Sequence, residues 1–235
     1  MRTGICGLAF ALAVACATDA VAAPIVLLDT FEDGTTQGWG VPGPSPLPPA
    51  NVSTGGPGGT DDNYLLVRAG STIGDAGSRL WVINFDQWTF DYLAAGTESI
   101  SLDVNNFGPA DLYLRLLFAD PVMGPPSNVA ISTDAIFLPA GSGWTSVVFP
   151  IAPGDLTALL GSVNTALAAP TELRIFHNPD PDFPGPPNGI PTVTAELGVD
   201  NISAVVNTAP EPSTMLLLGL GVAAAISRRR ASRLG

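Results

Sequence analysis

An all-β antiparallel sandwich with one short helix is the fold class this sequence predicts, and three observations predict it. Strand signals recur at short intervals from residue 25 to residue 206. Two segments alternate strictly between apolar and polar side chains. Glycine and proline, 26 and 23 of 235 residues, interrupt helices along the whole length.

In chain order, residues 25–29 form an apolar run, and residues 41–59 are too rich in proline and glycine for regular structure. A strand resumes at 64–68. Residues 98–105 place Ile100, Leu102 and Val104 on one face and Ser101, Asp103 and Asn105 on the other. Residues 111–118 do the same, with Leu112, Leu114 and Leu116 opposite Tyr113, Arg115 and Leu117. Further strands are predicted at 135–138, 145–150, 172–177 and 198–206. Residues 155–167 read as the single helix, with Asp155 as N-cap and Leu156, Leu159 and Leu160 on one side.

The two ends follow other rules. Arg2 precedes an apolar run over residues 5–17, then small residues ending Ala20-Val21-Ala22. That is the pattern of a secretory signal peptide, cut by signal peptidase after Ala22. A lipoprotein reading through Cys16 competes, with Ala13 standing where a large aliphatic residue is usual. At the other end Pro210 and Pro212 impose an extended approach, residues 215–226 are apolar, and Arg228, Arg229, Arg230 and Arg233 follow. The apolar stretch is shorter than the ~20 residues that span hydrocarbon, and flanking hydroxyls and snorkelling arginines extend its reach. Cations retained on the cytoplasmic side would make it a single transmembrane helix, with everything before Met215 outside the inner membrane.

The order Pro210-Glu211-Pro212, short apolar helix, arginine cluster resembles the PEP-CTERM sorting tail. The resemblance implies an exported protein of an exopolysaccharide-making Gram-negative bacterium, processed by a membrane-embedded cysteine protease, the exosortase. Pro210, Glu211 and Pro212 would be its recognition motif, and Arg228, Arg229 and Arg230 the stop. The chain then divides into a signal peptide (1–22), a sandwich domain (23–207) and a sorting tail (208–235). It would be anchored in the inner membrane before processing, then reach the cell surface or the extracellular space.

The chain has no lysine, and residues 23–209 carry 19 carboxylates against 4 arginines, a net of −15. Such a surface repels phosphate backbones and anionic lipid, which argues against nucleic acid and favours cations or neutral partners. Both cysteines, Cys6 and Cys16, fall in the leader, so the domain has neither a disulfide framework nor a thiolate metal site. His177 is the only histidine, which excludes sites needing two imidazoles and leaves serine-histidine-acid catalysis formally open. No G-x-S-x-G, H-E-x-x-H, phosphate loop or E-x-D-x-x-E strand occurs, and the glutamates Glu32, Glu98, Glu172, Glu196 and Glu211 are scattered singly. No enzyme is expected.

Thr30-Phe31-Glu32-Asp33-Gly34 with Gly38-Trp39, and Val199-Asp200-Asn201-Ile202, resemble the opening and closing strands of jelly-roll carbohydrate-binding modules of the galactose-binding-like fold. The region from Leu80-Trp81 through Trp88 to Tyr92 resembles the laminin-type domain of the same architecture. The first resemblance implies paired first and last strands sharing a structural Ca2+, with carboxylates from Glu32 and Asp200 and backbone oxygens near Gly34 and Asp62. An acidic domain without cysteine supplies the oxygen ligands calcium takes. The alternative is that Glu32 and Asp200 are solvated edge carboxylates.

If the apolar sets of 98–105 and 111–118 face the core, then Asp103, Asn105, Tyr113 and Arg115 project together from the other side, with Arg174 joining from 172–177. Sugar sites use that mixture of planar rings and hydrogen-bonding groups. The pattern alone favours a plainer reading, the ordinary wet face of half-exposed strands. Trp39, Trp81, Trp88 and Trp144 read as core residues rather than stacking platforms. The loop Asn178-Pro179-Asp180-Pro181-Asp182 after His177 reads as solvated, with a second cation site as the alternative. Three functions follow: a surface or matrix protein that binds carbohydrate, a structural or adhesive surface protein that binds none, and a secreted glycoside hydrolase, which needs two carboxylates at fixed separation.

Overall fold

The computed structural model describes residues 25–41, 43–73, 75–120, 126–180 and 191–206. The predicted leader (1–22), the tail with Pro210, Glu211, Pro212 and Arg228 to Arg230, the apolar segment 215–226, and Asp182 all lie outside the described residues. Residues Ala23–Thr208 form one compact unit. No helix among the described residues is long and apolar enough to cross a membrane.

The strands in chain order are β1 (Ile25–Asp29), β2 (Trp39–Gly40), β3 (Ala50–Val52), β4 (Tyr64–Ala69), β5 (Trp81–Asn84), β6 (Ser99–Asn106) and β7 (Leu112–Asp120). There follow β8 (Asn128–Ser132), β9 (Ile136–Leu138), β10 (Thr145–Pro150), β11 (Leu156–Leu160), helix α1 (Val163–Ala168), β12 (Glu172–His177) and β13 (Ala195–Val206). Among the described residues they pair antiparallel into two sheets, making the predicted jelly-roll β-sandwich. The first runs β10-β6-β13-β4-β3, with β1 also on β13, and the second runs β11-β8-β7-β12-β5-β2, with β9 on β7.

Alternation explains which face closes inward. Ile100, Leu102 and Val104 of β6 meet Leu112, Leu114, Leu116 and Phe118 of β7, Leu173 and Ile175 of β12, and Leu65 and Val67 of β4 in one core. Each such side chain contributes about 1.5–3 kcal/mol on burial. A buried polar cluster joins the two sheets beside this apolar mass. The Asp29 carboxylate at the end of β1 is buried and accepts from Trp39 Nε1 at 2.8 Å, Trp88 Nε1 at 2.7 Å and Gln87 Nε2 at 3.0 Å. The clamp ties the first strand of one sheet to the opening strand of the other, and three donors satisfy a charge that would be costly alone.

Three expectations are corrected. Residues 41–59 do contain a strand, because β3 pairs with β4 along an edge, Asn51 opposite Leu65. The predicted helix at 155–167 is mostly something else: Leu156–Leu160 is an edge strand on β8, and only Val163–Ala168 is helical. Gly161, at φ +58°, turns the chain between them, and Ser162 rather than Asp155 precedes the helix. A short segment has too little helix propensity to outweigh pairing with a waiting strand edge. Third, β6 and β7 are consecutive but not adjacent, since β6 belongs to the first sheet and β7 to the second.

Candidate functional site

Asp200 stands at the centre of an acidic corner on the outer face of the first sheet. It lies directly opposite Asp103 in the β13–β6 register, a like-charge pairing that destabilises a sheet. A bulge follows at once, with Asn201 in the left-handed region at φ +49°. Asn201 donates its backbone N–H to Asp200 Oδ1 at 2.7 Å, and its side-chain amide to Asp103 Oδ2 at 2.9 Å and Asp200 Oδ2 at 3.3 Å. The Ser146 hydroxyl donates to Asp103 Oδ1. Burial pushes the Asp200 carboxyl up to about 7; the Asn201 N–H opposes the shift, and the charges of Asp62, Asp103 and Glu32 add to it.

The other predicted ligands share this corner. Glu32 Oε1 accepts the Asn63 N–H at 2.8 Å, and Asp62 Oδ2 accepts the Gly58 N–H at 2.5 Å, which holds the glycine-rich turn before β4. Gly34 closes a turn by donating to Phe31 O at 3.0 Å, with φ +77° at Gly34 and +60° at Phe31. A buried carboxylate burdened by three more, with every charge bearing on it negative, is chemistry that a divalent cation relieves. Among the described residues no three acidic, histidine or cysteine side chains converge closely enough to hold an ion. An ion here would have to draw on backbone carbonyls as well.

The predicted ligand face does not exist as one surface. Asp103 and Asn105 lie on the outer face of the first sheet, whereas Tyr113, Arg115 and Arg174 lie on that of the second. Arg115 is buried and already committed. It donates to four carbonyls: Asn178 O at 3.0 Å, Ser132 O at 2.8 Å, Thr133 O at 2.7 Å and Pro179 O at 3.1 Å. The 178–180 loop, read as solvated or cation-binding, is thus held by the protein's own guanidinium. Arg115→Met should cost about 2 kcal/mol by urea unfolding, since the freed carbonyls are partly rehydrated, and should speed amide exchange in both loops.

Tyr113 packs against Phe137 at 5.1 Å between ring centroids, and its backbone N–H donates to His177 Nδ1 at 2.9 Å. His177 is buried, which depresses its pKa below the usual imidazole value. A ring whose Nδ1 is spent on a backbone amide is a structural acceptor. Arg174 lies over Trp81, its Cζ 4.7 Å from the ring centroid, and pairs with Glu172 Oε1 at 2.7 Å. It is 4% exposed, and its Nε and Nη1 have no hydrogen-bond partner. Around it Trp81, Ile83, Leu117, Ile131 and Phe176 form a second buried apolar cluster on the outward side of the second sheet. Sequence alternation missed it because β5, β8 and the second half of β7 are apolar on both faces.

The first sheet differs. On its outer side Trp144 packs edge to face on Tyr64 and Phe107, with centroid separations of 5.3 Å and 6.0 Å, and Tyr64 and Phe107 lie tilted to one another at 5.7 Å. They surround Gly198, where an added Cβ would lie 2.8 Å from both Phe107 Cε2 and Trp144 Cη2. Trp39, Trp81 and Trp88 are buried as predicted of core residues, but Trp144 is half-buried, and its Nε1 donates to Gly55 O at 2.8 Å. The aromatic composition alone could not single out Trp144. The reach of its ring across β6 to Gly198, two strands away, did.

Residues 208–231 match the PEP-CTERM protein-sorting motif, which marks an exported protein with a C-terminal sorting region. No curated protein matches the chain. Solved structures that share the sandwich include the following two. One is an exo-beta-agarase, at 14% identity and a TM-score of 0.51, covering 80% of this chain and 26% of that one. The other is a family 11 carbohydrate-binding module from Clostridium thermocellum in complex with a beta-1,3-1,4-mixed-linked tetrasaccharide, at 14% identity and a TM-score of 0.50, covering 81% of this chain and 99% of that one. The chain thus spans about a quarter of the agarase, and at such identities the likeness is one of fold.

Proposed function

We propose that this exported protein is a non-catalytic surface or matrix component that binds neutral carbohydrate, such as its own cell's exopolysaccharide, through its sandwich domain. On this reading it enters by signal peptidase, passes through the inner membrane held by residues 215–226, and is released or fixed by an exosortase-type protease acting at Pro210-Glu211-Pro212. The supporting observation is that the domain shares nearly the whole of a fold whose family 11 example holds a tetrasaccharide. Two further features agree. The net charge of −15 over residues 23–209 favours an uncharged partner, and the lone histidine is tied to a backbone amide. Calcium belongs to the same proposal: Glu32 and Asp200 would supply carboxylate oxygens, and Gly34 and the loop around Asp62 backbone carbonyls. The ion would neutralise the corner and brace the first and last strands.

A structural or adhesive role without sugar is the second reading, and the buried apolar face around Trp81 and Arg174 favours it, since an open sugar cleft would leave such rings in solvent. Native gels cast with mixed-linked β-glucan, xylan or agarose decide between them. The full chain in mild detergent should be retarded in at least one gel relative to a polysaccharide-free gel. Uniform mobility in all of them overturns carbohydrate binding.

A further inference from the structure

Resting on the carbohydrate reading, we infer that the sugar-binding surface is the outer face of the first sheet, centred on Trp144 and Phe107 beside Gly198, and not the outer face of the second sheet.

The register lays out this face as rows. Gly198 lies between Leu66 on β4 and Asn105 on β6, with Trp144 leading into β10. On one side the next row is Asp200 and Asp103; on the other it is Glu196 opposite Arg68. The absence of a side chain at Gly198 lets the Trp144 and Phe107 rings settle low over the sheet, and Phe107 is 42% exposed. The result is an apolar strip flanked on both sides by carboxylate, amide and guanidinium groups. That is the combination a pyranose needs, its C–H face stacking on a ring and its equatorial hydroxyls reaching polar groups at the margins. Carboxylates outnumber the single arginine here, so the strip suits an uncharged glycan rather than a uronic-acid polymer.

The second sheet offers no comparable surface. Trp81 and Phe176 are buried with Arg174 laid over Trp81, Arg115 is spent on four carbonyls, and the exposed Phe137 packs on Tyr113 at the β9 edge, away from the rows of carboxylate and amide groups that flank Trp144. The plain structural role of the trio, shielding Gly198, predicts no response to sugar, so the two roles can be told apart.

The test uses tryptophan emission together with the same gels. Trp144 is the most accessible of the four tryptophans, the others being 0–5% exposed, so a stacking sugar should shift emission and reduce acrylamide quenching of the full chain. With mixed-linked β-glucan or agarose oligosaccharides as probe, Phe107→Ala and Trp144→Ala should each weaken binding by about tenfold or more. Phe107 is exposed enough for its variant to keep the parental melting temperature, so that variant stays informative if Trp144→Ala loosens the Gly55 turn. Retardation of the parent with undiminished binding by the Phe107 variant and unchanged emission overturns this placement and leaves carbohydrate binding standing. Failure of the parent to bind any probe overturns the carbohydrate reading and the placement with it.

Discussion

Replacing Asp29 by alanine is expected to destabilise the domain by about 3–5 kcal/mol, because two indole N–H groups lose their acceptor inside the core and the Gln87 amide is left with the Gln37 carbonyl alone. For a domain of this size that is a fall of about 6–20 °C in melting temperature. Trp88→Phe removes a single donor and should cost about 1–2 kcal/mol. The Asp29→Ala/Trp88→Phe pair should cost less than the sum of its parts, since the second change removes a group the first left stranded. Urea unfolding of the three variants checks this. An Asp29→Ala midpoint within about 0.5 kcal/mol of the parent would mean the clamp contributes only surface-like stability.

The second large effect is a pH dependence set by Asp200. Its carboxyl is raised from 3.8 to about 7 by burial and by the neighbouring carboxylates. The folded state therefore holds a proton that the unfolded chain releases. Between about pH 4 and about pH 7 the folded form binds more protons, so metal-free stability should fall as pH rises through this window and level off above it. Calcium requires the ionised carboxylate, so excess calcium should oppose the fall, adding about 2.7 kcal/mol at a hundredfold excess over its dissociation constant. Asp200→Asn keeps the buried shape without the titration. It should flatten the metal-free profile and abolish the calcium response together. Calorimetry of the full chain across this range, with chelator and with calcium, reads both. A metal-free profile that rises with pH contradicts the burial of a lone carboxylate, and a calcium effect that survives Asp200→Asn contradicts the ligand assignment.

How far the fold was legible depended on which faces of each strand were wet. The strands β4, β6, β10 and β13 carry polar residues on their outer side, so a period of two shows through. In the second sheet Val129 and Ile131 of β8, Trp81 and Ile83 of β5, and Leu117 and Ala119 of β7 are apolar on the outward side too, so alternation disappears. For that reason β5 and β8 were not expected, and β2, at two residues, carries no pattern at all. The helix was overextended because Leu156, Leu159 and Leu160 satisfy a helical period as readily as an edge strand.

The site was legible in part for a similar reason. Glu32 and Asp200 could be picked out from short flanking motifs, and the structure places both at one corner with Asp62. Asp103 belongs to that corner as well, through Asn201, 98 residues away along the chain. Nothing local in 98–105 distinguishes a carboxylate that faces another carboxylate from one that faces water.

The sequence by itself determined the export address at residues 208–231, the all-β class, the lack of thiol chemistry in the domain and the strong negative charge, because each is a property of composition or of residues close together in the chain. Only the tertiary structure decided that β6 and β7 part company into different sheets, that Asp103 meets Asp200, and that Arg115 is enclosed by carbonyls while Trp144 settles over Gly198. Those outcomes depend on register between strands far apart in sequence. A period of two reports which way a side chain points and carries no information about which strand lies beside it.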